Sequence, residues 1–276
     1  MKVAKTIAEM REFRQETEGT LGFVPTMGYL HDGHMSLVKM AREENQVVAV
    51  SIFVNPMQFG PREDFKSYPR DTRRDLALLE PLTDIVFMPS DKDMYPRDYD
   101  SWVEVKGLTD VLEGAVRPGH FLGVTTVVAK LFNVVQPDKA YFGQKDAQQV
   151  AVIKKMVKDL NMNLEVVTCP TLREKDGLAM SSRNTYLKRG QRQAATVLYK
   201  ALMLAEELVS RGENDAGAIR LEMKEFIEKE PEANIEYISI ADNATLREIH
   251  HIKLPALVSM AVKIGKTRLI DNIVLE

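Results

Sequence analysis

The sequence predicts a doubly wound parallel α/β sheet followed by a smaller α+β domain, and three observations carry that prediction. Short apolar runs alternate with amphipathic segments from residue 20 to residue 169, the order of β-α-β units. The runs are apolar on both faces, as strands covered from both sides must be. After about residue 175 the order changes to a polar loop, two helical segments and three short strands. The chain thus divides into a first domain, residues 1–175, and a second, residues 176–276.

Residues 6–16 read as a helix, with Thr6 and Glu9 in capping-box spacing. Residues 20–24 are a buried strand, broken by Pro25, which lacks a backbone donor, and by Gly28, which admits positive φ. Apolar residues at 35, 37, 38, 40 and 41 put one buried face on a helix from about 33 to 44. Residues 46–54 are a near-continuous apolar strand ending in the turn-rich Asn55-Pro56-Met57-Gln58-Phe59-Gly60-Pro61. Ligands of open parallel sheets lie beyond the carboxyl ends of strands, so Asn55 and Gln58 are well placed. Residues 70–79 read as a helix and 84–88 as a strand, while 102–105 alternates like an edge strand. Arg117-Pro118-Gly119-His120-Phe121 reads as a loop before an apolar helix over 123–135, which Pro137 stops. A strand over 139–142, the turn Gly143-Gln144-Lys145-Asp146, a helix over 147–160 and a strand over 163–168 complete a Rossmann-like domain. Beyond it, 173–184 is polar and loop-like. Helices over 191–211 and 216–229 and strands over 235–241, 257–264 and 267–274 follow, with Gly265-Lys266 as a hairpin signal.

Composition bounds the function. The 276 residues are 45% hydrophobic, ordinary for a soluble globular protein, and their formal net charge of -3 gives no global push toward nucleic acid while leaving room for a local basic cleft; no nucleic-acid partner is expected. The single cysteine, Cys169, excludes an intrachain disulfide and a Cys-ligated metal site. The charged first twelve residues lack the apolar core of a signal peptide, and no apolar run is long enough to span a bilayer. The expectation is a cytoplasmic enzyme with no membrane partner.

The strand, Gly-containing turn and helix at 20–44 make a phosphate site chemically sensible, because a helix start offers unpaired N–H groups and a positive dipole end. His31 and His34, three apart, share a face there and suit developing charge on phosphate oxygens. Taken alone, the motif fits any α/β unit about as well as a phosphate site. Met180-Ser181-Ser182-Arg183, two hydroxyls beside a guanidinium in a polar loop at the domain junction, suits phosphate too. The pair resembles the two signature motifs of the nucleotidylyltransferase and class I aminoacyl-tRNA synthetase superfamily.

Five blocks sharpen the resemblance: Pro25 to His34, Ser51 to Phe59, Arg117 to Phe121, Gly143 to Asp146 with Gln148-Gln149, and Met180 to Asn184. In this order they resemble the pantothenate synthetase family over essentially the whole chain. The resemblance implies ATP-dependent condensation of pantoate with β-alanine through a pantoyl-adenylate, releasing AMP and pyrophosphate. It also implies Mg²⁺ and a homodimer of two-domain subunits. By matching motif, it makes His34, His31 and Lys145 catalytic. Pro25, Thr26, Met27, Gly28, Gly33, Gly143 and Asp146 join them in the ATP site, and Met180, Ser181, Ser182 and Arg183 grip the triphosphate. Gln58 and Gln149, with Asn55, are assigned to pantoate. Gln144 stands where the family often has Glu, and Arg74 precedes Asp75 where a carboxylate pair near Mg²⁺ is expected. The metal ligands therefore stay unassigned.

Blander readings stand beside these. Gln58 fits a turn cap, Lys145 a surface position, and His120 the anchoring of its own loop better than substrate contact. Asp215, Glu222 and Glu225 read as a solvated helix face. The competing function is a nucleotidylyltransferase acting on a phosphorylated acceptor. Gln58 and Gln149 weigh against it, because such an acceptor calls for Arg or Lys.

Overall fold

The computed structural model describes residues 1–61 and 63–276. They divide into two compact units. One comprises Met1–Gly143 with Gln148–Pro170, the other Gln144–Ala147 with Thr171–Glu276. The second unit begins five residues before the sequence-based boundary, and it takes the turn that carries Lys145.

The first unit runs β1 (Lys2–Ala4), α1 (Ile7–Gln15), β2 (Leu21–Thr26), α2 (Asp32–Glu44), β3 (Val47–Ile52), α3 (Thr72–Leu79), β4 (Ile85–Phe87), α4 (Asp91–Met94), α5 (Leu112–Val116), α6 (His120–Val135), β5 (Lys139–Gly143), α7 (Ala147–Asp159) and β6 (Glu165–Cys169). All pairs in its six-stranded sheet are parallel, in the order β1-β4-β3-β2-β5-β6. The chain winds outward from β2 to β4, then returns to β5 on the other side of β2. The switch point therefore lies between β2 and β5, where open α/β sheets hold their ligands.

Period-2 alternation splits each central strand between two cores. Leu21, Phe23, Ala49, Ile85 and Phe87 pack in the cluster that includes α6 and α7. Val24, Val48, Val50 and Val86 pack in the opposite cluster with Leu37 and Val38 of α2. That two-sided burial is why these strands read as apolar runs.

Several expectations need correction. β1 has no counterpart among the strands read from sequence, because three residues in a charged stretch carry no periodic signal; it pairs with β4 through Lys2–Ile85 to Ala4–Phe87. Pro25 does not end β2: it pairs opposite Ser51, while β5 contacts only Gly22 and Phe23. Nothing on the β5 side needs the missing Pro25 N–H, so the strand continues to Thr26. Residues 102–105 form no strand. Thr126 Oγ1 accepts from Val103 N at 3.0 Å, and Thr125 bonds its carbonyl oxygen, so α6 side chains do the work of a partner strand. The Arg117–Phe121 stretch is not all loop, since α6 already begins at His120, behind Gly119 at φ 81.

The second unit holds α8 (Arg189–Ala194), α9 (Val197–Ser210), α10 (Ala216–Glu228), β7 (Ala233–Asp242), β8 (Ala256–Ile264) and β9 (Thr267–Leu275). The single helix expected over 191–211 is two. Thr196 N bonds Gln193 O and Leu198 N bonds Ala195 O, a tightened turn with Thr196 Oγ1 on Gln193 O at 2.9 Å. Asp215, expected on a solvated face, caps α10 through Gly217 N and Ala218 N. The three strands form an antiparallel sheet in the order β7-β8-β9, and Gly265 takes φ +56 in the β8–β9 turn.

One glycine ties the fold to the site. A Cβ on Gly123 of α6 would stand 2.2 Å from Met57 O and 2.7 Å from Gln58 N, so only hydrogen fits where α6 meets the turn bearing Gln58. Gly123→Ala should therefore cost roughly 1–3 kcal/mol of stability in urea unfolding. A stability equal to wild type would show that this backbone approach is not rigid.

Candidate active site

The turn from β2 to α2 is built against its own backbone preferences. Gly28 takes φ 78 and the next residue, Tyr29, takes φ 49. Thr26 Oγ1 donates to Ser51 O at 2.7 Å and accepts from Gly28 N at 3.1 Å. Asp75 of α3, 1% exposed, accepts from Tyr29 N at 2.7 Å and Leu30 N at 2.8 Å, one bond on each carboxylate oxygen. The Arg74 guanidinium lies 5.4 Å from the Tyr29 ring centroid. The departure from a carboxylate pair is thus occupied by a residue that covers the turn, while Asp75 is committed to backbone amides.

His31 caps α2, and its carbonyl accepts from His34 N and Met35 N. The His31 and His34 rings lie 4.0 Å apart between centroids, on the shared face the spacing predicts. His31 N donates to His34 Nδ1 at 3.3 Å. An accepting Nδ1 puts the proton of a neutral imidazole on Nε2, making that atom the donor. A cavity of about 270 Å³ lies beyond the ends of β2, β3 and β4, bordered by Gly28, Tyr29, Phe53, Arg70, Asp75 and Met88.

Asn55 is 1% exposed, and its amide is fully engaged. Its Nδ2 donates to Gln58 Oε1 and to Gly123 O, both at 3.1 Å, while its Oδ1 accepts from Tyr95 Oη at 2.7 Å. Asn55 therefore orients Gln58 instead of offering polar atoms of its own. With Gln58 Oε1 taken, its Nε2 has Met27 Sδ at 3.3 Å as its acceptor among the described residues, a weak acceptor that a ligand oxygen would outbid. Gln148 is buried on Glu113 N, Leu108 O and Val111 O, whereas the neighbouring Gln149 amide has no hydrogen-bond partner among the described residues.

His120 turns out to hold the Gln58 turn. Its Nδ1 lies 2.8 Å from Gln58 O, so that nitrogen carries the proton, and its Nε2 accepts from Arg117 Nη1 at 3.0 Å. Arg117 is itself clamped by Glu63, Nε to Oε1 at 2.7 Å and Nη2 to Oε2 at 2.8 Å. Burial alone would raise the Glu63 carboxyl, but the Arg117 bonds hold it below its ordinary value. Sequence reasoning missed Glu63, because nothing local links it to a partner fifty-four positions away.

In the second unit Lys145 is half-buried, with Nζ 3.7 Å from Asp146 Oδ1. Ser181 Oγ accepts from Arg183 N at 3.3 Å and caps a short 3₁₀ turn, Ser182–Tyr186, so part of the expected loop is ordered. Ser182 is buried. Among the described residues, no group of three or more His, Cys, Asp or Glu could hold a metal ion, and no helix is long and apolar enough to cross a membrane.

The likeness to known proteins extends over the full length. A pantothenate synthetase of Herpetosiphon aurantiacus is 59% identical over 277 residues, covering 100% of both chains. The crystal structure of pantothenate synthetase from Thermus thermophilus matches with a TM-score of 0.95 at 47% identity, covering 99% of each chain. Pantoate-beta-alanine ligase from Francisella tularensis, solved complexed with beta-gamma ATP and beta-alanine, matches at a TM-score of 0.81 and 37% identity, over 99% of this chain and 97% of that one. The sheet, its switch-point histidine turn and these relatives define an α/β nucleotide-binding ligase. Residues 2–274 match the family model described as Pantoate-beta-alanine ligase, and the chain belongs to that family.

The buried imidazole makes a pH prediction. Burial first, then the Arg117 charge, pushes the His120 pKa down from 6.5 to about 4. The unfolded chain takes up this proton near 6.5 while the folded chain resists it to about 4, so the contribution is complete above 6.5 and lost as pH falls towards 4. Between about pH 7 and pH 5, wild type should lose about 2 kcal/mol more unfolding free energy than His120→Gln. Equal losses in urea titrations would remove the buried neutral histidine from the account.

Proposed function

We propose that this chain condenses pantoate with β-alanine at the expense of ATP, through a pantoyl-adenylate. The observation that carries the reading is the paired imidazole turn at the switch point of the sheet, with Gln58 Nε2 presented beside Met27. Family membership and the ATP and beta-alanine of the Francisella tularensis complex support it.

A carboxylate is a poor acyl donor because its oxygen leaves badly. Attack of the pantoate carboxylate oxygen on the α-phosphorus forms an O–P bond and breaks the bond to the β-phosphate, releasing pyrophosphate. The oxygen then belongs to AMP and leaves well. The β-alanine nitrogen attacks the acyl carbon, forming the C–N bond as the C–O bond to AMP breaks and the nitrogen gives its proton to solvent.

His34, protonated on Nε2 through its Nδ1 contact, donates to α-phosphate oxygens as charge builds, with His31 beside it. The turn from Pro25 to Gly33, through Thr26, Met27 and Gly28, lines the nucleotide's path. Gln58 and Gln149 offer neutral amides to pantoate's hydroxyls and carboxylate, and Asn55 serves by orienting Gln58. Gly143 ends β5 and leads into the turn of Lys145 and Asp146. Lys145 meets the phosphates, and Met180, Ser181, Ser182 and Arg183 take the departing pyrophosphate. Mg²⁺ enters with ATP as part of the substrate, coordinated chiefly by phosphates and water, as this small cation usually is. The only thiol is unsuited to a covalent route: burial, then the Glu44 charge, pushes Cys169 up to about 11, so it stays protonated. The family resemblance further supports a cytoplasmic homodimer, which light scattering of the purified chain tests.

His34→Ala should keep the fold and lower kcat by about 10²–10³; an unchanged kcat in a folded variant refutes the role. Labelled pyrophosphate should exchange into ATP with pantoate present and β-alanine absent, and not without pantoate. Exchange that requires β-alanine would replace the two-step route with a concerted one.

A further inference from the structure

Asn272 lies on β9, in the second unit, far in sequence from every block that carries the family resemblance. It is 4% exposed, and every polar atom of its amide is used. Its Nδ2 donates to Gln144 O at 3.0 Å and to Lys145 O at 2.9 Å, and its Oδ1 accepts from Gln144 Nε2 at 3.0 Å. The turn that bears Lys145 is therefore held by β9, and Gln144–Ala147 belong to the same compact unit as that strand.

The strand position is itself fixed. Arg173 makes a two-pronged pair with Asp271, 1% exposed at its side chain, through Nη1 to Oδ2 at 2.7 Å and Nη2 to Oδ1 at 2.9 Å. The same Nη2 donates to Asn272 O at 3.2 Å, and Asp271 Oδ1 also accepts from Asn272 N at 2.8 Å. Arg173 Nη1 reaches Gly177 O at 3.1 Å, and Arg173 bridges Ala179 on the way into Met180-Ser181-Ser182. One buried cluster thus sets both the backbone under Lys145 and the approach to the serine pair. A fully satisfied polar network of this kind confers a single geometry where a half-satisfied one would not.

We propose that Asn272 is a positioning residue for Lys145: it pins the two carbonyls of the Gln144–Lys145 turn, and Gln144 supplies the donor that aligns it. The proposal rests on the reading of Lys145 as a phosphate contact. Gln144 acquires a purpose from this pair. Its Nε2 holds the Asn272 oxygen, which leaves both Asn272 N–H bonds for the turn; a glutamate at 144 has no such donor.

The test is calorimetric binding of α,β-methylene-ATP with Mg²⁺ to the full chain, with steady-state kinetics alongside. Asn272→Ala should weaken analogue binding about tenfold and raise KM for ATP similarly, with KM for pantoate unchanged. Asn272→Asp, the same shape with acceptors facing two carbonyls, should be worse than Asn272→Ala. In a Lys145→Ala background, Asn272→Ala should add less than about twofold, since residues acting through one group are not additive. Gln144→Ala, a milder change on a half-buried residue, should weaken binding about threefold and decides the matter if Asn272→Ala does not fold. Wild-type affinity in Asn272→Ala, or in Gln144→Ala when that variant decides, overturns the proposal, and so does an undiminished effect in the Lys145→Ala background. Failure of the functional reading looks different: wild type would bind the analogue yet form no pantothenate, while the Asn272 effect on binding would persist.

Discussion

The site depends on one buried carboxylate. Two consecutive residues after β2, Gly28 and Tyr29, take positive φ, which is costly for tyrosine. Asp75 offsets that cost by accepting one backbone N–H on each oxygen, inside a protein interior where such charge-assisted bonds are strong. The turn so held delivers His31 to the helix start and sets the His34 ring against it. A Cβ on Gly28 would come within 3.1 Å of Asp75 Oδ2 and 2.9 Å of Ile52 Cγ2, so the glycine answers two demands at once, conformation and space.

The neighbouring amide site follows a different logic. Among the described residues, a charged pair stands behind the amide. Glu63 clamps Arg117, Arg117 fixes the His120 tautomer, and His120 holds the carbonyl of Gln58. Asn55 then takes the Gln58 oxygen and leaves its nitrogen facing sulfur. A side chain that could point either end of its amide at a ligand is restricted to one. The conformational cost of orienting that amide is met in folding and not in binding.

Legibility differs between elements for physical reasons. Long amphipathic or two-sided apolar segments are readable, as α2, β3, α7 and β8 show, because burial imprints a period on the residues themselves. The three residues of β1 and the break between α8 and α9 leave no period to read. The apparent edge strand at 102–105 alternates correctly, yet its backbone finds threonines of α6 in place of a strand.

The sequence by itself determined the fold class, the histidine turn, the hydroxyl–arginine segment and the family, because each rests on residue types at short, ordered spacings. Tertiary structure alone decided which of the polar side chains hold one another and the backbone. Asn55 bonds Gln58 and Gly123, His120 holds the carbonyl of Gln58, Asp75 accepts two backbone amides, and Asn272 bonds the carbonyls under Lys145. Each of these depends on a hydrogen bond between positions distant in sequence. Such a bond is set by where the packed elements bring two backbones together, and no local pattern of residues records that.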